Sequence, residues 1–311
     1  MSASGRDPDA RARFADGLGH QWIALESGVE VHVIDWAGND TADPDVPPGL
    51  PPLLLVHGLA SNARLWDGVA RRLSALGHHV VSVDLRGHGQ SSKPDDGYDM
   101  ATVADDLHLL IDELGMQRPI AVGQSWGGNV VLELAARHPA DVSAIACIDG
   151  GFIDLRRRHP DWHDAASALA PPPLAGTALS QISNWLQTSA GDWPEEGRRG
   201  TLANFEVHDD GTVSPWLTFD RHMAVLRGLW EHEPSSRYPM IDVPVLLVGA
   251  DTGDVAWSHS KHDAVDAAVA ALPNGRAVWF SPAHHDVHAE QPDAVAELLH
   301  EFSVDTAGAT T

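Results

Sequence analysis

An apolar run, Pro119-Ile120-Ala121-Val122, leads straight into Gly123-Gln124-Ser125-Trp126-Gly127, and that pentapeptide leads into Asn129–Arg137, whose apolar residues recur at helical spacing. Strand, tight turn and helix therefore follow one another with a serine at the apex, and few architectures accept that order. G-x-S-x-G in this setting is a nucleophile elbow. The turn forces Ser125 into a strained backbone conformation, and small neighbours let strand and helix approach each other. The hydroxyl is lifted clear of the sheet toward a helix N-terminus, where unpaired N–H groups favour developing negative charge. G-x-S-x-G also arises by chance in a glycine-rich chain, so a base and an acid have to be found elsewhere.

The segments around the elbow repeat its rhythm. Gln21–Leu25 and Val29–Ile34 flank Glu26-Ser27-Gly28, a hairpin signal. Asn39–Pro52 is dense in Pro, Asp and Gly and reads as a loop. Leu53-Leu54-Leu55-Val56 is a continuous apolar strand of the kind buried on both faces of a parallel sheet. A helix over about 65–76, a strand at Val80–Val83, a helix over about 100–114 and a strand at Ala144–Ile148 complete the first half. The alternation then stops from Gly150 to about Tyr238, a stretch holding Pro171-Pro172-Pro173 and five of the eleven tryptophans. It resumes with a strand at Val243–Val248, a helix over about 261–272, a strand at Ala277–Phe280 and a helix over about 292–302. Strands alternating with helices predict an α/β class with a doubly wound, mostly parallel sheet. The interruption is then an insertion at the carboxyl edge of the strands, where ligands bind in such sheets.

The expected organisation is a flexible tail over residues 1–20, a core of 21–149 and 239–303, an inserted and mainly helical cap over 150–238, and a flexible tail over 304–311. A chain of 311 residues can bury one large core plus such an insertion. Its net charge of −24, from 44 acidic and 20 basic residues, repels nucleic acid and anionic membrane alike. The single cysteine, Cys147, permits no intrachain disulfide. No apolar stretch reaches membrane-spanning length and the start has no apolar leader, so a cytoplasmic protein is expected.

With these pieces in order, the chain resembles α/β-hydrolase-fold proteins that carry a cap. The resemblance covers about Gln21 to Phe302 and rests on His57-Gly58, on Asp84-Leu85-Arg86-Gly87-His88-Gly89-Gln90-Ser91, on Gly123–Gly128, and on His285 with Glu290 and Pro292 behind it. It implies that Ser125 is the nucleophile, with an oxyanion hole from the N–H groups of Trp126 and Leu59. His57, directly after a buried strand, is expected to pack a loop. The family pattern puts the base seven residues before the proline that opens the last helix, at His285, with His284 the alternative. His285, Asp286 and His288 also permit a metal reading, but no second pair with zinc-like spacing accompanies them, so neither metal nor cofactor is expected.

The acid is open among three aspartates. Asp149 follows the strand after the elbow helix with no gap and two glycines behind it, while Asp251 and Asp254 fit the alternative strand end only with a gap. Asp149 is favoured, then Asp254, then Asp251. Trp126 beside the nucleophile resembles haloalkane dehalogenases and epoxide hydrolases, but those use Asp where this chain has Ser125, and dehalogenases commonly have Asn where it has Leu59.

A serine attacks an acyl carbon, so hydrolysis of an ester, lactone or thioester of a small apolar molecule is expected, through an acyl-enzyme. The alternatives are a C–C bond hydrolase, a cofactor-free perhydrolase, and a binding protein that uses a hydrolase pocket. Trp185 and Trp216 are candidate pocket walls, although packing a small lid that lacks a sheet accounts for them equally. Asp105 and Asp106 read as an exposed helix face, and Arg156-Arg157-Arg158 as a solvated one. The partners expected are a small-molecule substrate and, at most, a second copy in a homodimer.

Overall fold

In a computed structural model of the chain, residues 18–36, 49–253 and 255–308 are described. The hairpin forms as expected: β1 (Gly19–Ala24) and β2 (Glu30–Trp36) pair antiparallel, with Gly19 opposite Asp35. Strands and helices then alternate through β3 (Leu53–Val56), α1 (Asp67–Ala75), β4 (Val80–Asp84), α2 (Met100–Glu113), β5 (Ile120–Gln124), α3 (Trp126–Arg137) and β6 (Ala144–Ile148). An excursion follows, with α4 (Leu155–Arg158), α5 (Trp162–Leu169), β7 (Thr177–Ala178), α6 (Leu179–Ser189), α7 (Glu195–Leu202), β8 (Phe205–Val207), β9 (Thr212–Pro215) and α8 (Phe219–Glu231). The alternation closes with β10 (Val245–Ala250), α9 (Val255–Ala271), β11 (Gly275–Phe280), α10 (Val287–Glu290) and α11 (Pro292–Gly308).

Eight strands make one sheet in the order β1-β2-β4-β3-β5-β6-β10-β11. From β4 to β11 every pairing is parallel, and only the β1–β2 and β2–β4 pairings are antiparallel. The cause lies in the strands themselves. β3, β5, β6 and β10 are buried along their whole length, so both faces must be covered by helices. Leu54 and Val56 face α2 and α3 on one side, while Leu53 and Leu55 face α1 and α11 on the other. β6 and β10 are sheet neighbours, with Ile148 opposite Val248, so the excursion leaves the carboxyl end of one strand and returns to the start of the next.

Three expectations are corrected. The excursion does not lack a sheet: β7, β9 and β8 form a three-stranded antiparallel one among its helices. The segment 304–311 is not a tail from its first residue, because α11 runs on to Gly308 and buries Ser303 and Thr306. Asp106 is not on an exposed face. It is 3% exposed, pairs with the Arg86 guanidinium at 2.5 and 2.8 Å, and accepts the Ser27 hydroxyl at 2.9 Å. Helical spacing put Asp105 and Asp106 side by side, but Arg86 sits below only one of them. As for the expected N-terminal tail, β1 begins at Gly19, and residues 1–17 lie outside the described ones.

Helix α3 also roots the excursion. Asn129 accepts the Gly151 N–H at 2.9 Å and donates to the Ile153 carbonyl at 2.8 Å and to His232 Nδ1 at 3.1 Å. One turn on, buried Glu133 accepts Arg237 Nε at 2.6 Å and lies 3.2 Å from His232 Nε2. The departing and the returning chain are thus fastened to one helix.

Asp106→Ala strands the Arg86 guanidinium in the core and is expected to cost about 3–5 kcal/mol of stability, read as a lower urea midpoint. Asp105→Ala, which loses the part-exposed contacts with Arg137 and His138, is expected to cost about 1 kcal/mol. Equal losses would contradict the burial contrast.

Candidate active site

Ser125 occupies the turn between β5 and α3 at φ 54° and ψ −120°, a region that residues with side chains rarely enter. Backbone bonds hold it from both sides: its N–H donates to the Ile148 carbonyl at 2.9 Å, and its carbonyl accepts the Gly128 N–H at 2.9 Å. The flanking glycines are required by space. A Cβ at Gly123 would run into the Gly127 carbonyl, and one at Gly127 into the His57 carbonyl.

Asp149 is the first residue past β6 and also has positive φ, 45°. Its side chain is 1% exposed, with the Oδ2 atom 2.6 Å from His285 Nδ1 and the Oδ1 atom accepting the Ala250 N–H at 3.0 Å. An ionised carboxylate only accepts, so the Nδ1 atom carries the proton and the lone pair of His285 is left on the Nε2 atom. His285 is half exposed and lines a cavity of about 160 Å³ together with Ser125. Of the alternative acids, Asp251 accepts the Gly253 N–H at 2.7 Å and lies 3.5 Å from His262. Asp254 lies outside the described residues.

Sequence reasoning missed Lys261. Its ammonium sits 2.9 and 2.8 Å from the two Asp149 oxygens and donates to the Ala250 carbonyl at 2.7 Å. The only available signal was composition, since it is one of just two lysines in the chain. Burial pushes the Asp149 carboxyl up, but the hydrogen bond to His285 and the His285 and Lys261 charges outweigh burial and hold it below the ordinary carboxylate range. Burial lowers His285, yet the Asp149 hydrogen bond and the Asp286 and Asp149 charges prevail and raise it, with Lys261 pulling the other way.

The remaining histidines have other partners. His284 turns to Glu290, with Nδ1 3.0 Å from a carboxylate oxygen. His57 is fully buried. Its Nε2 accepts the Leu85 N–H at 3.0 Å and its Nδ1 donates to the Gly58 carbonyl at 2.7 Å, a loop-packing role as expected. His288 is buried against Trp66, its ring centroid 4.3 Å away, and burial holds its pKa down at about 3. Among the described residues, one group has metal-like composition: His108, His138 and Asp141. The two imidazoles stack at 4.2 Å with planes 3° apart, so their lone pairs lie in parallel planes and do not converge on one ion.

Leu59 lines the cavity, and Trp126 opens α3 with its indole buried and its Nε1 atom 3.1 Å from Met100 Sδ. Neither backbone N–H takes part in the described backbone hydrogen bonds of loops and turns, and Trp126 directly follows Ser125, which lines the cavity. Neither Trp185 nor Trp216 lines this cavity. Trp185 stands 60% exposed on α6, whose buried positions are Ile182 and Leu186. Trp216 is held under the Lys93 ammonium, 5.5 Å from its ring centroid. From the excursion, Thr201 and Asn204 line it together with Ser125.

Residues 51–292 match the family model of the alpha/beta hydrolase fold. The chain belongs to this family. It is 26% identical over 257 residues to Esterase YbfF of Escherichia coli, covering 81% of this chain and 92% of that one. It spans about a third of the length of the mycobacterial relatives that it matches: an uncharacterized Mycobacterium bovis protein is 37% identical over 103 residues, 33% of this chain and 30% of that one. Among solved structures, E-2-(acetamidomethylene)succinate hydrolase superposes with a TM-score of 0.74 at 22% identity, covering 92% of this chain and 98% of that one. That likeness is one of fold. None of the helices among the described residues is long and apolar enough to cross a membrane.

Removing the Lys261 charge is expected to raise the His285 pKa, because the ammonium disfavours the imidazolium beside it. His285 in Lys261→Met should therefore protonate at higher pH than in the wild type when its ring is titrated by NMR. An unchanged or lowered midpoint would show that Lys261 does not act on the imidazole.

Proposed function

We propose that this protein is a serine hydrolase that cleaves a carboxylic ester, lactone or thioester through an acyl-enzyme, with Ser125, His285 and Asp149 as its triad. The observation that carries this is the 2.6 Å contact between His285 Nδ1 and a buried aspartate, at a histidine that shares its cavity with the elbow serine. That contact fixes the tautomer in which Nε2 accepts a proton.

In this mechanism the Ser125 hydroxyl attacks the acyl carbon and His285 Nε2 takes its proton. The tetrahedral oxyanion is met by the N–H groups of Leu59 and Trp126, a contribution of about 3–4 kcal/mol per donor in measured cases. His285 then protonates the departing alcohol or thiol, leaving the acyl group on Ser125. Water, deprotonated by the same imidazole, releases the acid and restores the serine. Asp149 stays ionised throughout and stabilises the imidazolium. The excursion is proposed as a cap, supported by Thr201 and Asn204 lining the cavity with Ser125 and His285. Esterase YbfF, which matches over most of both chains, supports the ester reading in the same way.

A cavity of about 160 Å³ is close to one that admits benzene, so a short acyl group is favoured over a long one. Apolar lining comes from Leu59, Ala60 and Leu65 alone, against the expectation of an apolar substrate.

Ser125→Ala should abolish p-nitrophenyl ester turnover and fluorophosphonate labelling without unfolding the chain. Asp149→Asn should lower kcat by roughly 10⁴-fold, since an amide there favours the wrong imidazole tautomer. With His285 raised and acting as a base, kcat/KM should fall as pH drops through its pKa. Labelling that persists in Ser125→Ala would overturn the assignment of the nucleophile.

A further inference from the structure

Part of the cavity wall, around Asp286, is built to accept hydrogen bonds. Asp286 has one carboxylate oxygen 3.1 Å from Gln124 Nε2, and the described hydrogen bonds leave its other oxygen without a donor. Gln124 spends its amide hydrogens on Asp286 and on the His285 carbonyl, at 3.2 Å, which leaves its Oε1 atom to accept. Thr201, which also lines the cavity, donates its hydroxyl to the Gly197 carbonyl at 2.9 Å and so offers no free O–H there. Ser61 Oγ is buried and has no partner among the described residues. No lysine or arginine lines the space.

Such a wall is costly to leave unanswered. A buried acceptor facing an apolar acyl chain loses its water and gains nothing, and a carboxylate facing another carboxylate is repelled as well. A ligand that brings an N–H or O–H satisfies the acceptors around Asp286, and one that brings an anion does not.

We propose that the Ser125 site is specific for short acyl groups that carry a hydrogen-bond donor, a hydroxyl or an amide N–H, and that Asp286 selects the donor and excludes acyl groups ending in a carboxylate. This rests on the acyl-enzyme reading. Asp286 is a specificity residue here, distinct in role from Asp149, because it lines the cavity whereas Asp149 lies behind the imidazole. The asymmetry between the two aspartates is physical. Asp149 has a lysine and a histidine on its oxygens, while the described partner of Asp286 is one neutral amide. Asp286 is therefore the carboxylate with bonding capacity left for a substrate.

Three p-nitrophenyl esters of similar size test this: butyrate, 3-hydroxybutyrate and the hemisuccinate. Ratios of kcat/KM are taken within each enzyme, so that any change in His285 basicity divides out. The wild type should prefer 3-hydroxybutyrate over butyrate about tenfold or more, a step worth one charge-assisted hydrogen bond, and should handle the hemisuccinate about tenfold worse than butyrate. Asp286→Asn keeps an acceptor and removes the charge, so the hemisuccinate penalty should shrink while the hydroxyl preference persists in part. Asp286→Leu should lose the hydroxyl preference altogether.

A wild type that turns over butyrate as well as or better than 3-hydroxybutyrate overturns the proposal, even if both variants fail to fold. Ratios unchanged in Asp286→Leu would remove Asp286 as the selector. If no ester is turned over in a Ser125-dependent way, the acyl-enzyme reading itself fails. Turnover without preference fails only the specificity.

Discussion

Two residues at the ends of adjacent parallel strands hold backbone conformations that side chains normally avoid, and the site is arranged around them. Ser125 and Asp149 both have positive φ, and the Ser125 N–H reaches across to the carbonyl just before Asp149. Each such residue costs on the order of 1–3 kcal/mol and persists only where its surroundings over-determine it. Here the surroundings are a sheet buried on both faces, glycines that allow close approach, and a helix that starts at the serine. Register between β5 and β6 therefore sets the spacing between the elbow and the carboxylate before any side chain is considered.

Electrostatics decide the rest. Burying a lone carboxylate costs several kcal/mol, more than the strained backbone beneath it, so Asp149 has to be compensated. Lys261 and His285 divide that task. The lysine provides a permanent charge, whereas the histidine provides one only while protonated. Asp149 thus stays ionised with the imidazole neutral, the state in which a base is ready to act. In a chain this acidic, placing one of two lysines against this oxygen pair is a local exception to the global field.

Much of this was legible in the chain. Continuous apolar runs such as Leu53–Val56 announce strands covered on both faces, and the elbow announces its own turn, because both signals are local. Asp149 could be favoured because no gap separates it from its strand. Lys261 could not be found, since its partner lies 112 positions away and nothing around it marks a site. The burial of Asp106 was hidden for the same reason: helical spacing gives neighbours on a face, but not what that face meets. Large aromatic residues draw the eye in the excursion, yet the cavity is lined there by Thr201 and Asn204, which have no distinctive pattern.

Because Asn129 and Glu133 fasten both ends of the excursion to α3, its two stems are closed by side-chain bonds and not by the contents between them. The entropy of bridging two fixed points grows only logarithmically with chain length, about 0.6 kcal/mol for each doubling. Residues between the stems can therefore lengthen, shorten or be exchanged at small thermodynamic cost, while the catalytic end of the sheet keeps its geometry. One helix turn separates what this scaffold must conserve from what it is free to diversify.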